Sequence, residues 1–156
     1  MLLDDGVQLG ISDEVFLDWR VLVAHLWRML LAFALALPVA WNRERLDRSA
    51  GLRTFPLVAI ASCAYVLIAK DFLSDSAGDI ARILQGLITG IGFIGGGAIL
   101  KQDDRTMGTA TAASIWSTGA LGAAVAFDRF EIAVLLSFIN WATFRWLTAL
   151  KDEAAK

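Results

Sequence analysis

Five apolar stretches dominate the chain, at about residues 21–41, 54–69, 80–100, 108–127 and 130–148. A helix needs about 20 mostly apolar residues to cross the hydrocarbon of a bilayer. Most of the 156 residues are used by these stretches, which leaves no length for a second folded domain. Composition agrees: 57% of residues are hydrophobic and only 19% charged, against about 45–50% and about 25% in soluble domains. The expected fold is therefore all-α, a polytopic membrane bundle of about five helices. Residues 1–20 form an N-terminal segment, 21–148 the transmembrane domain and 149–156 a tail.

Basic residues set the expected direction, because short cytoplasmic loops are enriched in Lys and Arg. Nine fall on one side: Arg43, Arg45, Arg48, Arg53, Lys101, Arg105, Arg145, Lys151 and Lys156. The other side holds Arg20, Lys70, Arg82 and Arg129, with the acids Asp4, Asp5, Asp13, Glu14 and Asp18. The expectation is an N-terminus outside and a C-terminus inside. The acidic leader lacks the basic n-region of a signal peptide, so the first stretch reads as a permanent helix. Trp19 and Trp41 bracket it and Trp146 stands near the end of the fifth, as interfacial aromatics do.

The third stretch contains GIGFIGGGAIL, whose first six residues spell the G-x-G-x-x-G of dinucleotide-binding turns. That turn follows a strand and is followed about 20 residues later by an acid for the ribose. Upstream ARILQGLIT lacks strand alternation, and SIWSTGAL downstream lacks an acid, so no cofactor is expected. In a bilayer, glycines allow helices to approach closely. Gly86 with Gly90, and Gly92 with Gly96, each form a G-x-x-x-G step, and the fourth stretch adds further small residues. Stretches three and four are expected to form the tightly packed centre, and the small-residue faces to support self-association. The alternative use of such glycines is an unwound segment beside an ion or water pathway.

Polar residues inside the spans are few. Arg28 lies about 21 Å from the Asn42 end of its helix, and is either an interface anchor or an arginine paired with an acid or helix-end carbonyls. Thr111, Ser114 and Thr118 share one helical face and read as hydroxyls bonded to backbone, or as one wall of a polar path that Asn140 and Thr143 would extend. The adjacent Asp103 and Asp104 read as solvated loop acids, and no His/Cys cluster suits a metal. His25 and Cys63, each the only one of its kind, sit in different spans, so no catalytic constellation and no enzyme is expected. The net charge of −2 and the lack of a basic stripe speak against nucleic acid.

Three motifs, in this order and spacing, resemble the bacterial MgtC/SapB family: AGLRT (Ala50–Thr54), GIGFIGGGAIL (Gly90–Leu100) and GTATAASIW (Gly108–Trp116). The similarity covers about residues 28–127. It implies an inner-membrane protein without cofactors, and marks Arg28, Arg43, Gly51, Leu52, Arg53, Thr54, Gly90, Gly92, Gly95, Gly97, Gly108, Thr111 and Trp116 as functional candidates. Arg53 stands first among them, either tying its loop to helix-end carbonyls or contacting a partner or lipid headgroup. The family's glycine-x-glutamate-arginine segment is Ala40, Trp41, Asn42 and Arg43 here, so its acid is missing. Met107, Ala110 and Ser117 also stand where arginine, asparagine and cysteine are common in the family.

These departures bear on the virulence-linked role more than on the fold. Larger family members carry a soluble C-terminal domain, and this chain is expected to be a short form. The resemblance implies a membrane regulator tied to magnesium homeostasis, acid or stress adaptation, or virulence. Such a regulator works through another membrane protein, with the bilayer and a second copy of itself as further partners. The alternative is a small ion or solute transporter with the glycine-rich helix along its path.

Overall fold

The computed structural model of the protein describes residues 18–45, 50–72, 77–102 and 105–147. Five helices run up and down in chain order: α1 Trp19–Glu44, α2 Thr54–Phe72, α3 Ala77–Gly97, α4 Thr109–Ala126 and α5 Phe130–Ala142. A π-helical turn, Thr143–Leu147, continues α5. Helices α1, α2, α3 and the α5 continuation are long and apolar enough to cross a membrane. The remaining helix, α4, is diluted by Thr, Ser and Gly, and it is the helix that touches all four others. Its Thr111, Ser114 and Thr118 face is buried among those helices, so hydroxyls can stand there without meeting lipid.

Local chemistry sets the boundaries. Asp18 caps α1 by accepting from the Arg20 N–H at 2.9 Å. Trp19 and Arg20 are thus already helical; residues 1–17 and the expected tail lie outside the described residues. Pro56 falls in the first turn of α2, where its missing N–H costs nothing. The α3–α4 link, expected to be a plain loop, is a short antiparallel hairpin: β1 (Leu100–Gln102) pairs with β2 (Arg105–Met107), Leu100 opposite Met107. Asp103 and Asp104 lie outside the described residues. Gly108 turns this hairpin into α4 at φ 87°, with the Ala98 carbonyl against the place a Cβ would take, so only glycine fits.

The tightest seam joins α2 to α4. Gly122 of α4 lies against the Ala59 carbonyl and the Ser62 Cβ of α2, leaving no room for a Cβ. Phe55, Ala59, Cys63 and Val66 of α2 are fully or almost fully buried there, with Ile115, Leu121 and Val125 of α4. The α1 contribution is a stripe of small residues, Ala32, Ala36, Val39 and Ala40, at helical spacing.

By contrast α3 is peripheral, which corrects the expectation that α3 and α4 form the centre. A Cβ added at Gly86, Gly90, Gly92, Gly96 or Gly97 would meet nothing within 4 Å. These glycines do not pack the chain against itself. Only Gly95 approaches a neighbour, with its Cβ position 3.1 Å from the Ala112 carbonyl oxygen.

The two glycine classes predict opposite mutational behaviour. Gly122→Leu should destabilise the protein by about 1–3 kcal/mol, the cost of overpacking. Gly96→Ala should leave it unchanged or stabilise it by up to about 1 kcal/mol through helix propensity. Unfolding titrations of the purified protein in detergent micelles measure both.

Candidate functional site

Polar side chains gather at the two ends of the bundle, and α4 connects the two groups. At one end, the last turn of α1 buries Arg43 to 6% exposure. Its Nη2 donates to Thr111 Oγ1 in the first turn of α4. Its guanidinium lies 4.5 Å from the centroid of the Phe144 ring in the π-helical turn. Arginine suits this position because a planar, weakly hydrated cation can donate in its plane and stack on an aromatic face at once. Beside it, the buried Asn42 Oδ1 has no hydrogen-bond partner among the described residues. On the same side, the Glu44 carboxylate accepts from the Leu52 N–H at 2.9 Å and fixes the turn that starts α2.

From Thr111 a run of hydroxyls climbs the buried face of α4. Ser114 donates to the Thr111 carbonyl and Thr118 to the Ser114 carbonyl, each at 2.8 Å. Each proton is thus held by the helix's own backbone. Side-chain bonds also tie α5 in: Ser137 donates to the Leu35 carbonyl of α1 at 2.6 Å, and Asn140 Nδ2 to Ser117 Oγ of α4 at 3.0 Å. Thr143, by contrast, is exposed.

At the opposite end Asp128 is the organising residue. The Arg129 N–H bonds to the Ala124 carbonyl and the Asp128 N–H to the Val125 carbonyl, the pattern of a Schellman cap. Asp128 occupies its left-handed position with φ 59°, where glycine is usual. The carboxylate explains the choice. Arg28 meets it from α1 at 2.8 Å through both Nε and Nη2, and Lys70 from α2 at 3.3 Å. Lys70 also donates to the Ala126 carbonyl at 2.9 Å, a cation at a helix C-terminus. One side chain therefore links α1, α2 and the α4–α5 turn. Burial pushes the Asp128 carboxyl up, but the hydrogen bonds and charges of Arg28 and Lys70 outweigh it and hold the pKa below the ordinary 3.8. His25 and Asp71 form a neighbouring pair at 3.4 Å.

The motif residues divide between these regions. Arg43 and Thr111 meet. Arg28 is paired with an acid, the second of its two expected readings, and it also donates to the Ala24 carbonyl. Leu52 and Thr54 are half-buried around the turn whose Gly51 leaves space for the Glu44 carboxylate. Arg53 is exposed and makes no hydrogen bond or ion pair among the described residues, so the arginine that ties the helix ends together is Arg43 instead. Trp116 is 52% exposed on the outer side of α4. Gly90, Gly92 and Gly97 face away from the bundle, whereas Gly95 and Gly108 are held by backbone contacts. Among the described residues, no group of three or more His, Cys, Asp or Glu is placed to hold a metal ion. Sequence reasoning missed Asp128 and Phe144. An acid in the short turn between two spans, level with Arg28 by helix length, was the available signal for Asp128; Phe144 is one apolar residue among many and gave none.

A sequence profile of the MgtC family matches residues 29–153. This chain belongs to the MgtC family. Among its relatives, Protein SrpB of Synechococcus elongatus is 34% identical in an alignment that covers 88% of this chain and 80% of SrpB. The putative magnesium transporter YhiD of Escherichia coli K12 is 34% identical over 69% of this chain and 53% of its own length. Protein MgtC of Salmonella typhimurium is 30% identical over 74% of this chain and 48% of its own. The chain thus spans about half the length of the last two. No solved structure matches. Family membership and the apolar helices make it a multi-pass protein of the bacterial inner membrane, as the motifs implied.

The Asp128 cluster generates a pH prediction. Its folded pKa is depressed, so its stabilisation is present above the unfolded value near 3.8 and is lost as pH falls through the lower folded value. Asparagine also tolerates a positive φ, so Asp128→Asn removes the charge without straining the turn. At neutral pH this variant should lose at most about 1 kcal/mol, since the carboxylate is partly exposed and screened. It should also lack the acid-dependent step that wild type shows below pH 3.8 in thermal melts at stepped pH.

Proposed function

We propose that the protein is a non-enzymatic membrane regulator that acts by helix-to-helix contact with other membrane proteins, a second copy included. We place its role in magnesium homeostasis, acid or stress adaptation, or virulence, as in the family it belongs to. The carrying observation is the outward face of α3. Gln85, Thr89, Gly92 and Gly96 follow steps of four, three and four residues, and so do Gly86, Gly90, Phe93 and Gly97. All eight are exposed. Seven-residue periodicity with small residues is the pattern by which membrane helices pack closely. Each glycine costs about 1 kcal/mol of helix propensity, a cost that contact with another helix would offset. Arg53, exposed at the Arg43 end, would meet a partner or a lipid headgroup there. The basic excess on that side supports its being the cytoplasmic one.

Transport is the second reading. The hydroxyl run of α4 and the relative YhiD, a putative magnesium transporter, favour it. The Ser114 and Thr118 hydroxyls donate to the helix's own backbone, and the α3 glycines face away from that run, which favours the regulator.

Two measurements on the full chain separate the readings. Purified protein in liposomes should give no saturable magnesium or proton flux above empty vesicles. In a null strain under magnesium limitation, wild type should restore growth. Gly90→Leu and Gly96→Leu should fail to do so while accumulating and melting as wild type does. Saturable flux, or full complementation by both leucine variants, would contradict the regulator.

A further inference from the structure

A groove of about 470 Å³ runs between α3 and α5 over the outer side of α4, on a different face from the α3 glycine seam. Its volume lies in the range that holds small molecules. Leu84 and Ile88 of α3 form one wall and Ile132 of α5 the other. The floor is low because Ala120 and Ala123 of α4 are small. The groove has one closed end. There Ile91 of α3 lies across Gly119 of α4, and further along Gly95 meets the Ala112 backbone, so the two helices are sealed together. Trp116 stands at this closed end, and Phe127 and Arg129 stand at the open one.

Three properties of this groove identify its occupant. From Trp116 to Phe127 is eleven residues, about 16 Å at 1.5 Å per residue, or about half of a 30 Å hydrocarbon core. The groove therefore runs the depth of one leaflet and stops. A transmembrane helix of a second copy would need a seam continuing through the other half, where α3 and α4 are closed against each other. The groove's lining is apolar except at its mouth, where Arg129 is the one charged residue. That guanidinium is exposed and forms no ion pair or side-chain hydrogen bond among the described residues. The adjacent Asp128 is engaged by Arg28 and Lys70, and Glu131 makes no ion pair with Arg129. An apolar channel one leaflet deep under an unengaged planar cation matches an acyl chain below a phosphate, which arginine can bind through two parallel N–H bonds.

We propose that the groove is a binding site for a phospholipid with a net anionic headgroup, taken from the leaflet at the Arg129 end. One acyl chain lies along Ala120 and Ala123 and reaches Trp116, and the phosphate rests on Arg129. A net anionic headgroup is preferred because a zwitterionic one carries its own cation beside the phosphate.

The test is native mass spectrometry of the delipidated full chain, titrated with phosphatidylglycerol and with phosphatidylcholine of the same acyl chains. Wild type should retain one phosphatidylglycerol about fivefold more tightly than phosphatidylcholine, the size of effect of one basic residue at a membrane surface. Arg129→Ala should reduce phosphatidylglycerol to the phosphatidylcholine level, and Arg129→Lys should keep most of the preference. Ala120→Phe fills the groove from an exposed position and should weaken both lipids alike. Arg20→Ala, an exposed charge at the start of α1, should change nothing. Equal wild-type affinity for the two lipids, or a preference that survives Arg129→Ala, would overturn the proposal. So would Ala120→Phe if it left lipid binding intact while converting a dimer to monomers, because the groove would then be an interface between copies. Circular dichroism of each variant checks that it is folded, and the arginine series decides the matter even if Ala120→Phe does not fold.

Discussion

The distance between α2 and α4 is set by one backbone contact, Gly122 against the Ala59 carbonyl. In hydrocarbon no hydrophobic force draws helices together, so close backbone approach and van der Waals contact must do so. With α4 seated on α2, its Thr111, Ser114 and Thr118 are enclosed by protein and bond to their own helix or to a neighbour. The rest of the arrangement is built around that pair. α1 and α5 close over α4 through small residues and two side-chain bonds, Asp128 joins three elements at one end, and Arg43 joins three at the other. α3 is left at the edge, and the glycine-rich motif that stands out most in the sequence faces outward.

The number of helices and nearly all their limits were legible because lipid imposes a length on each apolar run. The expected 54–69, 108–127 and 130–148 became Thr54–Phe72, Thr109–Ala126 and Phe130–Leu147. Which helices touch was not legible. Gly122 sits in an unremarkable run of alanines, while α3 carries a conspicuous run of glycines; density in sequence says nothing of which face a residue occupies once the neighbours are unknown. For Arg28 the cost of a lone cation in the membrane left two readings open, an interface anchor or a paired arginine, and choosing the second required knowing that the α4–α5 turn comes level with it. Arg53 drew attention through its motif, whereas the buried, aromatic-stacked cation proved to be Arg43.

A division of labour follows from these positions. The interior of the bundle is closed with hydrogen bonds that leave little freedom, and the two surfaces proposed for recognition are on its periphery. One is the seven-residue seam of α3, and the other is the one-leaflet groove beside it. Asn42 sits next to Arg43 with its amide oxygen buried and unbonded among the described residues, inside the bundle and away from both surfaces.

The most direct measurement places single spin labels at residues 86, 90, 93 and 97 of a Cys63→Ser background and compares oxygen accessibility in native membranes with that in dilute detergent micelles. Free of contacts within the chain, these positions should be open in micelles, and the account predicts that they become shielded in native membranes, where another helix covers them. Equal, high accessibility in both settings would show that the α3 face meets only lipid and would contradict the reading of this protein as one that works through helix contact.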